Sequence, residues 1–139
     1  MALGAGNIAG GSNPSGTGSG LQAIGNSRYV GMSGQVMATE NTNGVLFDFS
    51  TGAENLDMTI QWSFNSVDLS SSKLLGLQVK LNGELIIDQV AYTDNTANNL
   101  YDIDPFYLYV PAFSRVEIES FTNDDSNIRT YAVISAKGI

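Results

Sequence analysis

The chain has 139 residues, enough for one domain, and no cysteine or histidine. That excludes disulfides, thiolate metal sites and cysteine nucleophiles, and it removes the side chain best suited to proton transfer near neutral pH. Fourteen acids against six scattered bases give a net charge of −8, which argues against nucleic acid, since that binding needs Lys and Arg on phosphates.

Residues 1–27 read as a flexible arm. Eight of the 15 glycines lie at or before Gly25, Ser12, Ser15, Thr17 and Ser19 fill the gaps, and no charged side chain occurs. Such a stretch buries too little apolar surface to offset its chain entropy, so the expectation is a disordered or extended tether. The start lacks the basic residues and apolar run of a secretory signal, and no segment approaches the span of a membrane helix. The expectation is a protein made in a cytoplasm with no membrane partner.

From Arg28 to residue 139 the pattern has a period of two. Strands are predicted at 29–38 and 45–49, separated by Asn43-Gly44. The best signal follows Thr51-Gly52, where Leu56, Met58, Ile60, Trp62 and Phe64 alternate with Asp57, Thr59, Gln61 and Ser63. Residues 66–73 read as a loop. Leu75, Leu77, Val79 and Leu81 repeat the alternation, and Asn82-Gly83 supplies a two-residue turn with positive φ into a strand at 85–92. A long polar loop is expected at 93–104. Pro105 and Pro111 bracket Phe106–Val110 and confine it to a sheet edge. Strands at 115–121 and 128–136 complete the set. Eight short strands predict an all-β, antiparallel β-sandwich or jelly roll, which pattern alone does not separate. The long excursion favours a Greek-key or jelly-roll crossover over a meander, so the expectation is an eight-stranded jelly roll.

Each candidate site has a simpler structural explanation. Gly4-Ala5-Gly6-Asn7-Ile8-Ala9 has the spacing of a dinucleotide-binding turn, but the strand before it and the helix after it are missing. Asp94, Asn95, Asp102, Asp104, Asp124 and Asp125 offer oxygen ligands for calcium, yet without the EF-hand spacing, and Asp and Asn also serve turns. The expectation is a solvated loop and no metal. Glu117 and Glu119 share a strand face, as a glycosidase pair would, but read as a solvent face. Ser33 has no histidine base and reads as a strand serine. Trp62 belongs to the core. Tyr92, Tyr101, Tyr107 and Tyr109, with Phe106, form a possible interface or sugar-stacking platform, because aromatics give large rigid contact area. The packing alternative has Phe106, Leu108 and Val110 filling the core while Tyr107 and Tyr109 cover the other strand face. With no acid–base set visible, no catalysis and no cofactor are expected.

Three stretches carry a family resemblance: Val45-Leu46-Phe47-Asp48-Phe49-Ser50-Thr51-Gly52, then Gly76-Leu77-Gln78-Val79-Lys80-Leu81-Asn82-Gly83-Glu84, and finally 108–118, a strand, a proline turn and a second strand. From Val45 to Ala136 the chain resembles small all-β virion structural proteins of tailed bacteriophages and related viruses. The resemblance implies a capsid component, a decoration (cement) protein, with no functional residue carried over. An uncharged arm and an acidic domain place it outside a shell, made in the host cytoplasm, with capsid protein and copies of itself as partners. The competing expectations are a carbohydrate- or receptor-binding module of a virion and the main jelly-roll subunit of a small virus.

Overall fold

The computed structural model describes residues 20–65, 73–93, 100–102, 104–124 and 127–139. Among the described residues eleven strands run in chain order: β1 (Gly20–Gly25), β2 (Arg28–Met32), β3 (Val36–Ala38), β4 (Gly44–Ser50), β5 (Leu56–Asn65), β6 (Lys73–Leu81), β7 (Glu84–Thr93), β8 (Leu100–Asp102), β9 (Phe106–Val110), β10 (Arg115–Thr122) and β11 (Ile128–Gly138). All pairings are antiparallel.

One sheet has seven strands in the order β1-β2-β11-β5-β8, with β3 also on β11 and β9 also on β5; the other runs β4-β10-β6-β7. The eight predicted strands all appear. β2 and β3 together fill one position beside β11, and β8 and β9 together fill one beside β5. Counted so, each sheet has four positions, and most connections cross from one sheet to the other, which is the jelly roll. β1 is an addition outside β2.

The core forms because the alternation puts every second side chain inward. Leu56, Met58, Ile60, Trp62 and Phe64 on β5 face Leu75, Leu77 and Val79 of β6 and Val116 and Ile118 of β10 in one buried cluster. At Gly44 the two sheets approach tightly: a Cβ there would lie 2.7 Å from the Met37 carbonyl and 2.8 Å from Ser120 Oγ. The buried hydroxyls nearby are satisfied, since Thr130 Oγ1 donates to the Val36 carbonyl at 2.8 Å and lies 2.9 Å from Ser120 Oγ.

Three sequence expectations need correction. Residues 20–25, assigned above to the arm, are a sheet strand: Leu21 is fully buried, and Gly25, Asn26 and Ser27, all at positive φ, turn the chain into β2. Within the stretch read as a polar loop, Leu100–Asp102 pairs with Ser63–Asn65 of β5. The predicted strand 29–38 is interrupted at Ser33-Gly34-Gln35. Ser33 is the residue that keeps this break tied down. Its amide donates to the Ala132 carbonyl, while its Oγ accepts from the Ala132 amide and donates to the Gly34 carbonyl. A side chain thus replaces a backbone group of the ladder.

Candidate interaction surface

On the outward face of the four-stranded sheet, acids and bases are matched across β4, β10 and β6. Arg115 grips Asp48 through two parallel bonds, Nε–Oδ1 at 3.0 Å and Nη2–Oδ2 at 2.8 Å, and lies 3.6 Å from Glu117. The Asp48 hydrogen bonds, then the Asp48 and Glu117 charges, hold the guanidinium more firmly protonated than usual. Glu119 accepts from Asn43 Nδ2 at 3.0 Å and lies 3.9 Å from Lys80 Nζ. Glu117 and Glu119 therefore stand on one half-buried face, each beside a cation. Phe121 lies across Gly76, where any Cβ would fall 2.2 Å from the ring.

The outward face of the seven-stranded sheet is open. Phe106 and Leu108 are partly buried against the core and Val110 is fully buried, while Tyr107 and Tyr109 project outward, 73% and 53% exposed. Among the described residues β9 pairs only with β5, the edge place its flanking prolines implied. Tyr92 belongs to β7 in the four-stranded sheet and Tyr101 to β8 in the seven-stranded one, so the four tyrosines do not share a sheet. The side chains of Tyr92 and Tyr101 lie outside the described residues. Tyr107 walls a groove of about 510 Å³ with Ile24, floored by Val30, Thr59 and Ser135. Its rim carries Arg28, Lys137 and Asp57, cross-strand neighbours in one row. Among the described residues neither Arg28 nor Lys137 makes an ion pair. Like charges directly opposite each other cost stability.

The end of the sandwich beside this groove is fastened by side chains. Thr51 Oγ1 donates to the Pro111 carbonyl at 3.0 Å and accepts from the Ser114 amide at 2.8 Å. The Ala112 amide donates to Asn55 Oδ1 and the Phe113 amide to the Gly52 carbonyl, both at 2.9 Å. Every amide of the turn after Pro111 is thus engaged. The turn holds Phe113 at φ +57° with its ring 78% exposed. A bulky side chain in the left-handed region is rare and strained. Next to it, the Glu54 carboxylate accepts from Ser27 Oγ at 2.6 Å and from the Tyr29 hydroxyl, and packs over Gly138. The hydrogen bonds from Ser27 and then Tyr29 hold Glu54 below the usual carboxylate range. Burial, then the hydrogen bond and charge of Glu54, pushes the Tyr29 phenol up to about 12.

The remaining candidates do not converge. Asp124, expected in a solvated turn, is buried, with its amide donating to Thr122 Oγ1; Asp104 is exposed. Asp94, Asn95, Asp125 and the segment Gly4 to Ala9 lie outside the described residues, and so does the Asp102 side chain. Among the described residues no group of three acidic side chains is placed to hold a metal. Trp62 is buried as expected, although its indole N–H finds no hydrogen-bond partner among the described residues. Phe113 was missed by the sequence reading; Pro111 signalled a turn there but nothing about the ring.

No protein-family model matches the chain, and no curated protein does. Solved structures do. The structure of the Gx strain of infectious bursal disease virus matches with a TM-score of 0.53 at 16% identity, over 78% of this chain and 31% of that one. The Gt strain matches at 0.52 and 13%, over 80% and 33%. A crystal structure of a viral particle of the same virus matches at 0.51 and 16%, over 81% and 31%. The chain therefore shares its fold with part of these viral chains and spans about a third of their length. The matched virus is not a tailed bacteriophage, so the likeness to virion proteins rests on this fold in general.

Proposed function

We propose that the chain is a structural protein of a virion, which binds a capsid shell from outside as a decoration protein. The observation that carries this reading is the jelly roll shared with infectious bursal disease virus particles. Two features favour the exterior. The net charge of −8 suits no genome contact, and residues 1–19, which precede β1, carry no charged side chain. In this reading those residues cross onto neighbouring capsid subunits, ordering on contact and gaining area over several partners.

The test is co-sedimentation of the purified chain with capsids lacking it. Saturable binding, lost on removing residues 1–19 while the sandwich stays folded, supports the proposal; undiminished binding by the truncated chain refutes the docking role of the arm. The second reading, a main shell subunit, is favoured by the fact that the matching chains belong to viral particles. Closed shells formed on expression of this chain alone would establish that reading instead.

A further inference from the structure

We infer that two copies of this chain dock through reciprocal insertion of Phe113 into the groove beneath Tyr107. The surface described above holds both halves of such a contact. The knob is the Phe113 ring, 78% exposed at φ +57°. A strained backbone persists only where the surroundings over-determine it, and such outliers gather at functional positions. Here Thr51, Gly52 and Asn55 hold the backbone of the turn through hydrogen bonds to Pro111, Ala112, Phe113 and Ser114, so the position from which the ring projects is set before any partner arrives. Rigid aromatic anchors lose little entropy on docking and dominate interface energetics.

The hole is the groove of about 510 Å³, walled by Ile24 and Tyr107 and floored by Val30 and Thr59. Its volume lies within the range of pockets, about 300–1,000 Å³, that take an organic group much larger than a phenyl ring. Knob and hole sit on the same end of the molecule, joined by β9: Tyr107 lines the groove, and the chain reaches the Phe113 turn just after Val110 and Pro111. A self-complementary patch with both parts side by side is what a two-fold interface requires, because each copy then gives a ring and receives one.

Charge points to the same partner. Two copies at −8 each repel, and acidic groups dominate their surfaces. The groove rim is where Arg28 and Lys137 stand without an ion pair among the described residues. The rim holds these two cations against the single carboxylate of Asp57, so a second copy that brings carboxylates there gains attraction.

The experiment is sedimentation velocity of the full chain over a concentration series, with two variants and their mixture. Phe113→Gly removes the ring and suits the positive φ, so the fold is kept or made firmer. Thr59→Arg fills the groove from an outward strand position. The unaltered chain is expected to dimerise, and each variant to do so about a hundredfold more weakly, at about tenfold for each of two lost rings. Mixing the variants restores one ring in one groove, so a heterodimer should form about tenfold more tightly than either variant's own dimer. A monomeric unaltered chain, or a dimer that Phe113→Gly leaves intact, overturns the inference. A monomer whose binding to capsids falls on Phe113→Gly also overturns it, and assigns the ring to a capsid subunit.

Discussion

The two outward faces of this sandwich obey the same period-two rule and end up opposite in character. On the four-stranded sheet, β4, β10 and β6 bring acids beside bases, and Arg115, Asp48, Glu117, Lys80 and Glu119 engage one another. On the seven-stranded sheet, Arg28 faces Lys137, and Ile24, Met32, Val133, Tyr107 and Tyr109 are left exposed. Local β-pattern therefore does not decide which side of a sandwich is finished. The register does, because it chooses each residue's cross-strand neighbour. The charges named on the finished face are matched, although Leu85 stays 48% exposed there, whereas the open face has unpaired charge together with a larger set of exposed apolar side chains.

Substitutions can break this contrast. The largest effect on stability belongs to the finished face: Gly76→Ala drives a methyl into the Phe121 ring and to within 2.6 Å of the Gln89 carbonyl. It should cost about 1–3 kcal/mol by denaturant unfolding, the range for overpacking. Glu54→Gln, at the fastened end, should cost about 1 kcal/mol, because a partly exposed charge-assisted bond is replaced by a neutral one.

Glu54 also sets a pH dependence. Its pKa is lowered by folding, so its contribution is present in full above the ordinary carboxylate value and is lost as pH falls through the lowered one. Tyr29 works in the other direction. Its phenol is raised to about 12, so its contribution is full below pH 10, the ordinary phenol value, and is lost as pH rises from 10 towards 12. Thermal unfolding across pH should show both limbs in the unaltered chain and weaker ones in Glu54→Gln. Asp48→Asn should lower the midpoint only slightly, and less at high salt, since the pair is exposed. Smallest of all, Tyr107→Ser and Tyr109→Ser should leave unfolding unchanged within about 0.5 kcal/mol. A large loss of stability in either variant would show that the open face is not open.

Much of the fold is legible in the pattern of side chains. Alternation at Leu56 to Phe64, the Asn82-Gly83 turn at φ 52° and 85°, and the two prolines around β9 all mean what their chemistry says. What escapes is set by partners distant in sequence. Leu21 is a single buried residue in a glycine-rich stretch, too few to show a period, and only pairing with β2 makes its segment a strand. β8 is three residues long and exists because β5 extends far enough to receive it. The open face was half legible. Alternation sends Tyr107 and Tyr109 outward, but the groove beside them depends on Ile24 and Val30, which are far off in the chain. Phe113 was illegible because glycine or asparagine marks a positive φ and phenylalanine does not.

The place of β11 has a consequence for how the protein is made. Its neighbours β2, β3 and β5 are all synthesised earlier, yet β11 lies between them and closes the middle of the seven-stranded sheet. Until residues 128–138 leave the ribosome, β2 and β5 each have an unpaired edge and their apolar inner faces lack the central strand. The sheet is thus completed after the whole domain has been translated, from contacts distant in sequence that form slowly. A ribosome stalled before Ile128 would hold an aggregation-prone chain, and premature termination there would release one.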